Sequence, residues 1–277
     1  MEYFEQLGLT KEPFSNTPDP AFFYRSREHQ EALYRLEIAI RTRRGLSVIL
    51  GAVGTGKTTL SRILLQQFEE DRDKFVFRMM LDPNFQSEFE FLKAIMEIFE
   101  VRSIPNSTLE CKNILQNHLY KLSLLEEKNP VLLLDEGQML TPTYMEVLRN
   151  LLNYETNEQK LLQVVIFAQP EFLLKIKKKP NFNDRIALGY SINPLNLVET
   201  KELIEYRLKK AGLKNGRILF QDDAIEHIYY YTNGYPRKII NTCHEALITM
   251  LRSDKEVVDG EMMQGILKQK ELWNALV

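Results

Sequence analysis

"GAVGTGKTT", residues 51–59, is the stretch on which the fold turns. The short apolar run "LSVIL" (46–50) precedes it, and "TTLSRILLQQF", apolar at helical spacing, begins inside it. The pattern is G-x-x-x-x-G-K-[ST], and a buried strand before it with a helix after it is the context that phosphate binding needs. Glycines let main-chain N–H groups turn inward around phosphate oxygens, and the helix N-terminus adds partial positive charge there. Lys57 can neutralise β- and γ-phosphates, and the Thr58 hydroxyl can ligate Mg²⁺. Gly51, Ala52, Val53, Gly54, Thr55, Gly56, Lys57, Thr58 and Thr59 are therefore expected to cradle a nucleoside triphosphate.

A second motif, "NPVLLLDEGQML" (129–140), supplies acids. Asp135 ends an apolar run that reads as a central buried strand, and the C-terminal ends of such strands form the ligand crevice of open α/β sheets. Asp135 is expected to hold Mg²⁺, and Glu136 to orient and polarise an attacking water. Binding alone would not require the second acid, so the pair favours hydrolysis. Gln138 reads equally as part of that network or as an exposed helix-start glutamine.

Outward from these motifs the chain alternates. Strand-like "FVFRMM", "PVLLLD" and "LLQVVIFA" are separated by helix-like "EFEFLKAIMEIF", "LECKNILQNHLYKLSLLEEK" and "TYMEVLRNLLNYE". Continuous apolar strands alternating with helices predict an α/β fold, a parallel sheet sandwiched by helices. From about residue 197 strands cease, and four helical segments follow, punctuated by Gly212, Gly234, Pro236 and Gly260. We expect an α/β nucleotide-binding core over 1–195, including the N-terminal segment, and a small helical lid over 196–277.

Composition agrees with a globular protein. Of the 277 residues 44% are hydrophobic and 27% charged, and 36 basic against 38 acidic side chains give a net charge of −2. Bulk charge therefore names no nucleic-acid or membrane partner. Cys111 and Cys243 form neither a ligand set nor a disulfide framework and read as buried free thiols. The N-terminus has acids early and no apolar h-region, and no apolar run approaches membrane-spanning length. A cytoplasmic protein with no membrane insertion is expected, possible peripheral attachment at the inner membrane aside.

The residues now quoted resemble an AAA+ ATPase, and more narrowly the ExeA/GspA-like family. The resemblance runs from "GLTKEPFSNTPDPAFFYRSREHQEAL" through "GAVGTGKTTL", "LLLDEGQML" and "IFAQPEF" to "RLKKAG" and "TNGYPRKIIN". Two departures stand out. Gly137 replaces the usual Ala of Asp-Glu-Ala-Gln and should loosen that turn, and Ala168 replaces the usual Gly of Gly-Gln-Pro-Glu. Relatives that act in secretion often continue into a transmembrane helix and a peptidoglycan-binding region; this sequence ends at "ELWNALV", so direct anchoring is not expected.

The resemblance implies ATP and Mg²⁺ as ligands. It places Gln169 at the sensor-1 position against the γ-phosphate or the attacking water, and Arg237 of "GYPRK" at the sensor-2 position. Tyr24, with Phe23 and His29, matches the segment near adenine, although aromatics beside a helix start also pack as core. Arg185 in "NFNDRIALGY" stands where a neighbouring subunit is faced. It reads as an arginine finger acting in trans in a homo-oligomeric ring or filament, or else as a surface pair with Asp184.

Three loads fit such an engine. The first is a protein client of an envelope assembly system, as in secretion or pilus-like machinery. The second is duplex DNA, since transposition ATPases of the TniB, TnsC and MuB type share this core. In that reading Lys175, Lys177, Lys178 and Lys179 and Arg41, Arg43 and Arg44 would be the phosphate contacts. The third is a nucleotide-gated scaffold with little turnover.

Overall fold

The structure is a computed structural model describing residues 2–17, 19–156, 159–214 and 216–276. Pro18 of the Thr-Pro-Asp-Pro stretch, and Met1 and Val277 at the limits of the expected domains, lie outside the described residues. In chain order come α1 (Tyr3–Gln6), α2 (Arg27–Arg41), β1 (Leu46–Gly51), α3 (Lys57–Gln67), β2 (Phe75–Met80), α4 (Glu88–Ile98) and α5 (Thr108–Tyr120). Then follow β3 (Asn129–Leu134), α6 (Pro142–Leu152), β4 (Gln163–Ala168), α7 (Phe172–Lys177), α8 (Pro180–Asn183) and β5 (Ile186–Ile192). The chain closes with α9 (Leu197–Lys210), α10 (Asp222–Thr232), α11 (Pro236–Arg252) and α12 (Gly260–Leu276).

The chain divides into two compact units: Met1–Ser26 with Gly54–Thr59 and Asn193–Val277, and Arg27–Val53 with Leu60–Ile192. The second unit holds the sheet, ordered β2-β3-β4-β1-β5. Every pairing is parallel, with Val48 beside Ile166 and Leu133 beside Val165. Strands β1, β3 and β4 are buried at every position, as their largely apolar sequences suit strands covered on both faces. At one edge β5 half-buries alternate residues and exposes the others up to the buried Ile192. Side-chain oxygens set the helix starts: Ser87 accepts from the Glu90 N–H, Ser107 from Glu110 and Thr141 from Tyr144. The long helical stretch ending near residue 128 is α5 followed by a π turn over 121–125.

The N-terminal segment departs from expectation. Leu7, Leu9, Phe14 and Phe22 belong to one apolar cluster with Leu203, Ile204, Ile228 and Leu247, so residues 1–26 build the helical unit rather than the α/β core. The buried Arg207 holds them there, donating to the carbonyls of Pro13 at 2.7 Å and Ser15 at 2.8 Å. Thr10 Oγ1 adds a bond to the Ala211 carbonyl at 3.0 Å. Apolar residues scattered among turns carry no periodicity, which hides such a partner from sequence reading. The other unit boundary falls at Ile192/Asn193, three residues before the expected one.

Candidate functional site

Because the sheet is parallel, Gly51 ending β1, Asp135 after β3 and Gln169 after β4 lie at one edge, on three adjacent strands. From Gly51 the chain passes Ala52 and the exposed Val53 into a turn that only glycine accommodates easily: Gly54 has φ +82° and Gly56 φ +94°. Thr55 and Lys57 are buried, and Lys57, Thr58 and Thr59 open the first turn of α3. This glycine-turned backbone running into a helix N-terminus is the cradle that a polyphosphate requires.

Arg237 is joined to this loop through the main chain. Its N–H donates to the Gly54 carbonyl at 3.2 Å, and a Cβ on Gly54 would lie 2.8 Å from the arginine Cβ. The approach to α11 explains how it is held. Asn233 and Gly234 are both left-handed, and a Cβ on Gly234 would stand 1.9 Å from the Leu195 carbonyl oxygen. Pro236 then begins the helix with its φ already set. The Arg237 side chain is exposed.

At the strand ends, Asp135 is 2% exposed, and its N–H donates to Met80. Glu136 follows with φ +51°, a conformation costing a non-glycine residue on the order of 1–3 kcal/mol. Its N–H donates to Asp135 Oδ1 at 2.9 Å. Gln138 Nε2 donates to Glu136 Oε2, Gln138 Oε1 accepts from the Gln169 N–H at 3.0 Å, and Gln169 Nε2 stands 3.5 Å from the same Glu136 oxygen. Glu136, Gln138 and Gln169 thus form one network, and the exposed-glutamine alternative for Gln138 falls away.

Gly137 does not loosen this turn. It sits buried in a short 3₁₀ turn against β4, where an added Cβ would meet the Ile166 Cγ2 at 2.2 Å and the Ala168 Cβ at 3.2 Å. The methyl absent at 137 is matched by one present at 168.

Arg185 lies exposed in the turn between α8 and β5, its N–H bonded to the Phe182 carbonyl. Among the described residues it makes no ion pair, with Asp184 or otherwise, and its charge acts at longer range on Glu155. Tyr24 is half-buried in the helical unit, its hydroxyl donating to Glu202 and its ring 6.1 Å from that of Tyr206. Burial and the Glu202 carboxylate push its pKa up. His29 is buried in α2.

The basic runs are partly consumed inside the chain. Arg41 pairs with Glu37 and Asp71, and Arg43 donates to Ser123 Oγ at 2.6 Å and to the Lys128 carbonyl at 2.9 Å. Lys175 Nζ reaches the carbonyls of Gln138 at 2.5 Å and Leu140 at 3.0 Å. Lys177, Lys178 and Arg44 remain exposed. The role of Lys175 was hidden because a lysine run reads as a solvated helix end. Both cysteines are buried free thiols.

Comparison with known proteins places these features. A family model described as an AAA domain matches residues 40–176. General secretion pathway protein A of Aeromonas hydrophila is 34% identical over 265 residues, 94% of this chain and 47% of that protein, so the chain spans about half of its relative. An uncharacterized ATP-binding protein of Methanocaldococcus jannaschii is 23% identical over 72% of the chain and 65% of its own length. Among solved structures, Cdc6p from Pyrobaculum aerophilum superposes with a TM-score of 0.67 at 18% identity, covering 90% of this chain and 69% of that one. Drosophila ORC bound to DNA gives 0.68 at 19% identity, covering 96% and 64%; at such identities the likeness concerns the fold. Residues 40–176, with the phosphate loop and the parallel sheet, thus carry an AAA domain, and the chain is similar across nearly its whole length to general secretion pathway protein A.

Proposed function

We propose that the chain is a Mg²⁺-dependent ATPase. The observation that carries this reading is the Glu136 carboxylate beside the Gln169 amide, at the ends of the adjacent strands β3 and β4. The turned glycines of the loop fit a polyphosphate, with main-chain N–H groups of residues 51–59 and Lys57 as its partners. Thr58 and Asp135 are the Mg²⁺ ligands in this reading. Among the described residues no cluster of three acids, cysteines or histidines could hold a metal alone, as suits an ion ligated largely by phosphate and water. When bound, Mg²⁺ supplies positive charge against the phosphates.

Glu136 accepts a proton from water as the water oxygen bonds to the γ-phosphorus. The bond from that phosphorus to the β,γ-bridging oxygen breaks, its electron pair leaving with ADP, and the proton passes on to phosphate or solvent. Gln169 holds the water or a γ-phosphate oxygen, and Arg237 adds charge from α11. Tyr24, its hydroxyl fixed by Glu202, offers a ring face to adenine. The exposed Arg185, without an ion pair among the described residues, is free to serve the nucleotide of another copy, which makes a ring or filament the active form.

For the load we favour a protein of an envelope assembly system, because the relative sharing 34% identity is named for the general secretion pathway. No helix among the described residues is long and apolar enough to cross a membrane. In this reading the chain works in the cytoplasm. Phosphate release with Mg²⁺ and ATP, comparing the native chain with Lys57→Ala and Arg185→Ala, tests the reading. Turnover that rises with protein concentration and is lost in both variants supports it. Nucleotide-driven assembly without turnover would make the chain a scaffold, and turnover stimulated by duplex DNA would move the load to nucleic acid.

A further inference from the structure

We infer that Gln138 is a positioning residue that presents one oxygen of Glu136 to the attacking water, and that Lys175 anchors the turn carrying it. The inference rests on the ATPase reading above and concerns how its base is aimed.

A carboxylate serves as a base through one oxygen, and a freely rotating one offers either. Here the two are unequal. Both amides, Gln138 Nε2 and Gln169 Nε2, address Oε2 of Glu136. Oε1 takes no hydrogen bond among the described residues. The carboxylate is held by one edge and open at the other. The orientation of the Gln138 amide is dictated by its neighbours, because its oxygen meets the Gln169 N–H and its nitrogen meets a carboxylate. Turned over, it would set N–H against N–H and oxygen against oxygen.

The closed path from Glu136 through Gln138 to the Gln169 N–H also fixes the distance between the base and the Gln169 side chain. A water placed by one is then within the aim of the other. Three features hold Gln138 in turn. Gly137 permits the turn to lie flat on β4, since a Cβ there has no room. Glu136 takes a left-handed conformation to start it. Lys175 grips both ends of the turn from α7 through the Gln138 and Leu140 carbonyls, a charge-assisted pair of bonds. The next residues on α7 back this up: Phe172 and Ile176 are buried, so the lysine stem rises from a fixed helix. Together these links tie the position of a carboxylate oxygen to a helix 37 residues further along the chain.

The test uses the full chain with Gln138→Met, Gln138→Glu, Lys175→Met and Glu136→Gln. It reads ATP turnover, affinity for a fluorescent ATP analogue, and hydrogen exchange at the Gln169 main-chain amide. Methionine keeps the shape of Gln138 but neither donates usefully nor accepts. We expect kcat to fall roughly 10- to 100-fold, the scale of a misaimed reacting group, with analogue affinity and KM unchanged within about twofold. The Gln169 amide should exchange faster, with or without nucleotide. Lys175→Met should do the same to a smaller degree. Gln138→Glu sets a carboxylate where Glu136 now meets a donor, and should be slow at neutral pH.

Gln138→Met with native kcat, or with unchanged exchange at Gln169, would overturn the inference. If the methionine variant does not fold, a Gln138→Glu variant with native kcat does so instead. No turnover by the native chain removes the ATPase reading; Glu136→Gln with native turnover removes Glu136 as the base, and this inference with it. A dead Glu136→Gln beside a fully active Gln138→Met removes this inference alone.

Discussion

The main-chain N–H of Arg237 donates to the Gly54 carbonyl at 3.2 Å, and there is no space between the two residues for a Cβ on the glycine. The contact joins the phosphate loop to the first turn of α11. Gly54→Ala must place a Cβ 2.8 Å from that of Arg237 while holding φ at +82°. It should lose about 1–3 kcal/mol in thermal unfolding and bind ATP more weakly. Arg237→Ala keeps the main-chain bond and should leave the melting temperature near native. A native Gly54→Ala would show that the loop and α11 are not packed as described.

One methyl group fits between the turn at Gly137 and strand β4. The family pattern carries it at the first position and this chain at Ala168. Gly137→Ala should therefore destabilise the protein by roughly 1–3 kcal/mol, the scale of overpacking, despite the better helix propensity of alanine. Adding Ala168→Gly should recover part of that loss and no more, because the Ile166 Cγ2 lies 2.2 Å from the new atom. A double-mutant cycle with zero coupling would contradict the exchange.

Arg43 belongs to the fold. It has φ +51° and spends its guanidinium on Ser123 and the Lys128 carbonyl, tying the end of α2 to the π turn. Arg43→Ala should lower stability by about 1–3 kcal/mol and leave any salt-sensitive association with DNA unaltered. A selective loss of DNA affinity in a stable variant would contradict that role.

His118 supplies a pH dependence. Burial chiefly, with Lys121 and Arg78 contributing and Glu126 opposing, pulls its pKa below the ordinary 6.5. The unfolded chain then binds more protons in the interval between the depressed value and 6.5. The stabilising effect is present above 6.5 and is lost as pH falls through that interval. Melting temperature should drop on acidification from neutral, and less steeply in His118→Phe, which keeps a ring beside Phe99. Equal slopes would exclude His118 as the source.

How far the sequence discloses this protein varies by element. The buried strands were legible because a strand covered on both faces reads as an unbroken apolar run. The phosphate loop was legible because its glycines and lysine obey fixed spacing. The sharp entry to α11 was readable from Gly234 and Pro236 by residue type, but not the left-handed conformation that Asn233 shares with Gly234. Strand order was not, since it depends on which edge each crossover reaches and leaves no local signal. Leu7, Leu9, Phe14 and Phe22 anchor the N-terminal segment to the helical unit without any periodicity. Lys175 and Gln138 meet across residues 37 apart in sequence, which neither run nor motif foretells. Gly137 misled because helix propensity is the wrong measure for a residue pressed against a strand.

The account rests most heavily on Glu136 as the group that takes the proton from water. The direct test is the pair of affinity for ATP and rate of phosphate release, measured on the native chain and on Glu136→Gln under identical Mg²⁺. Glutamine keeps the size and the hydrogen-bonding partners of the side chain while removing its basicity. We predict unchanged or tighter ATP binding with turnover reduced by roughly 100-fold or more, the usual share of a general base. Turnover equal to the native chain, with binding intact, would contradict the central claim.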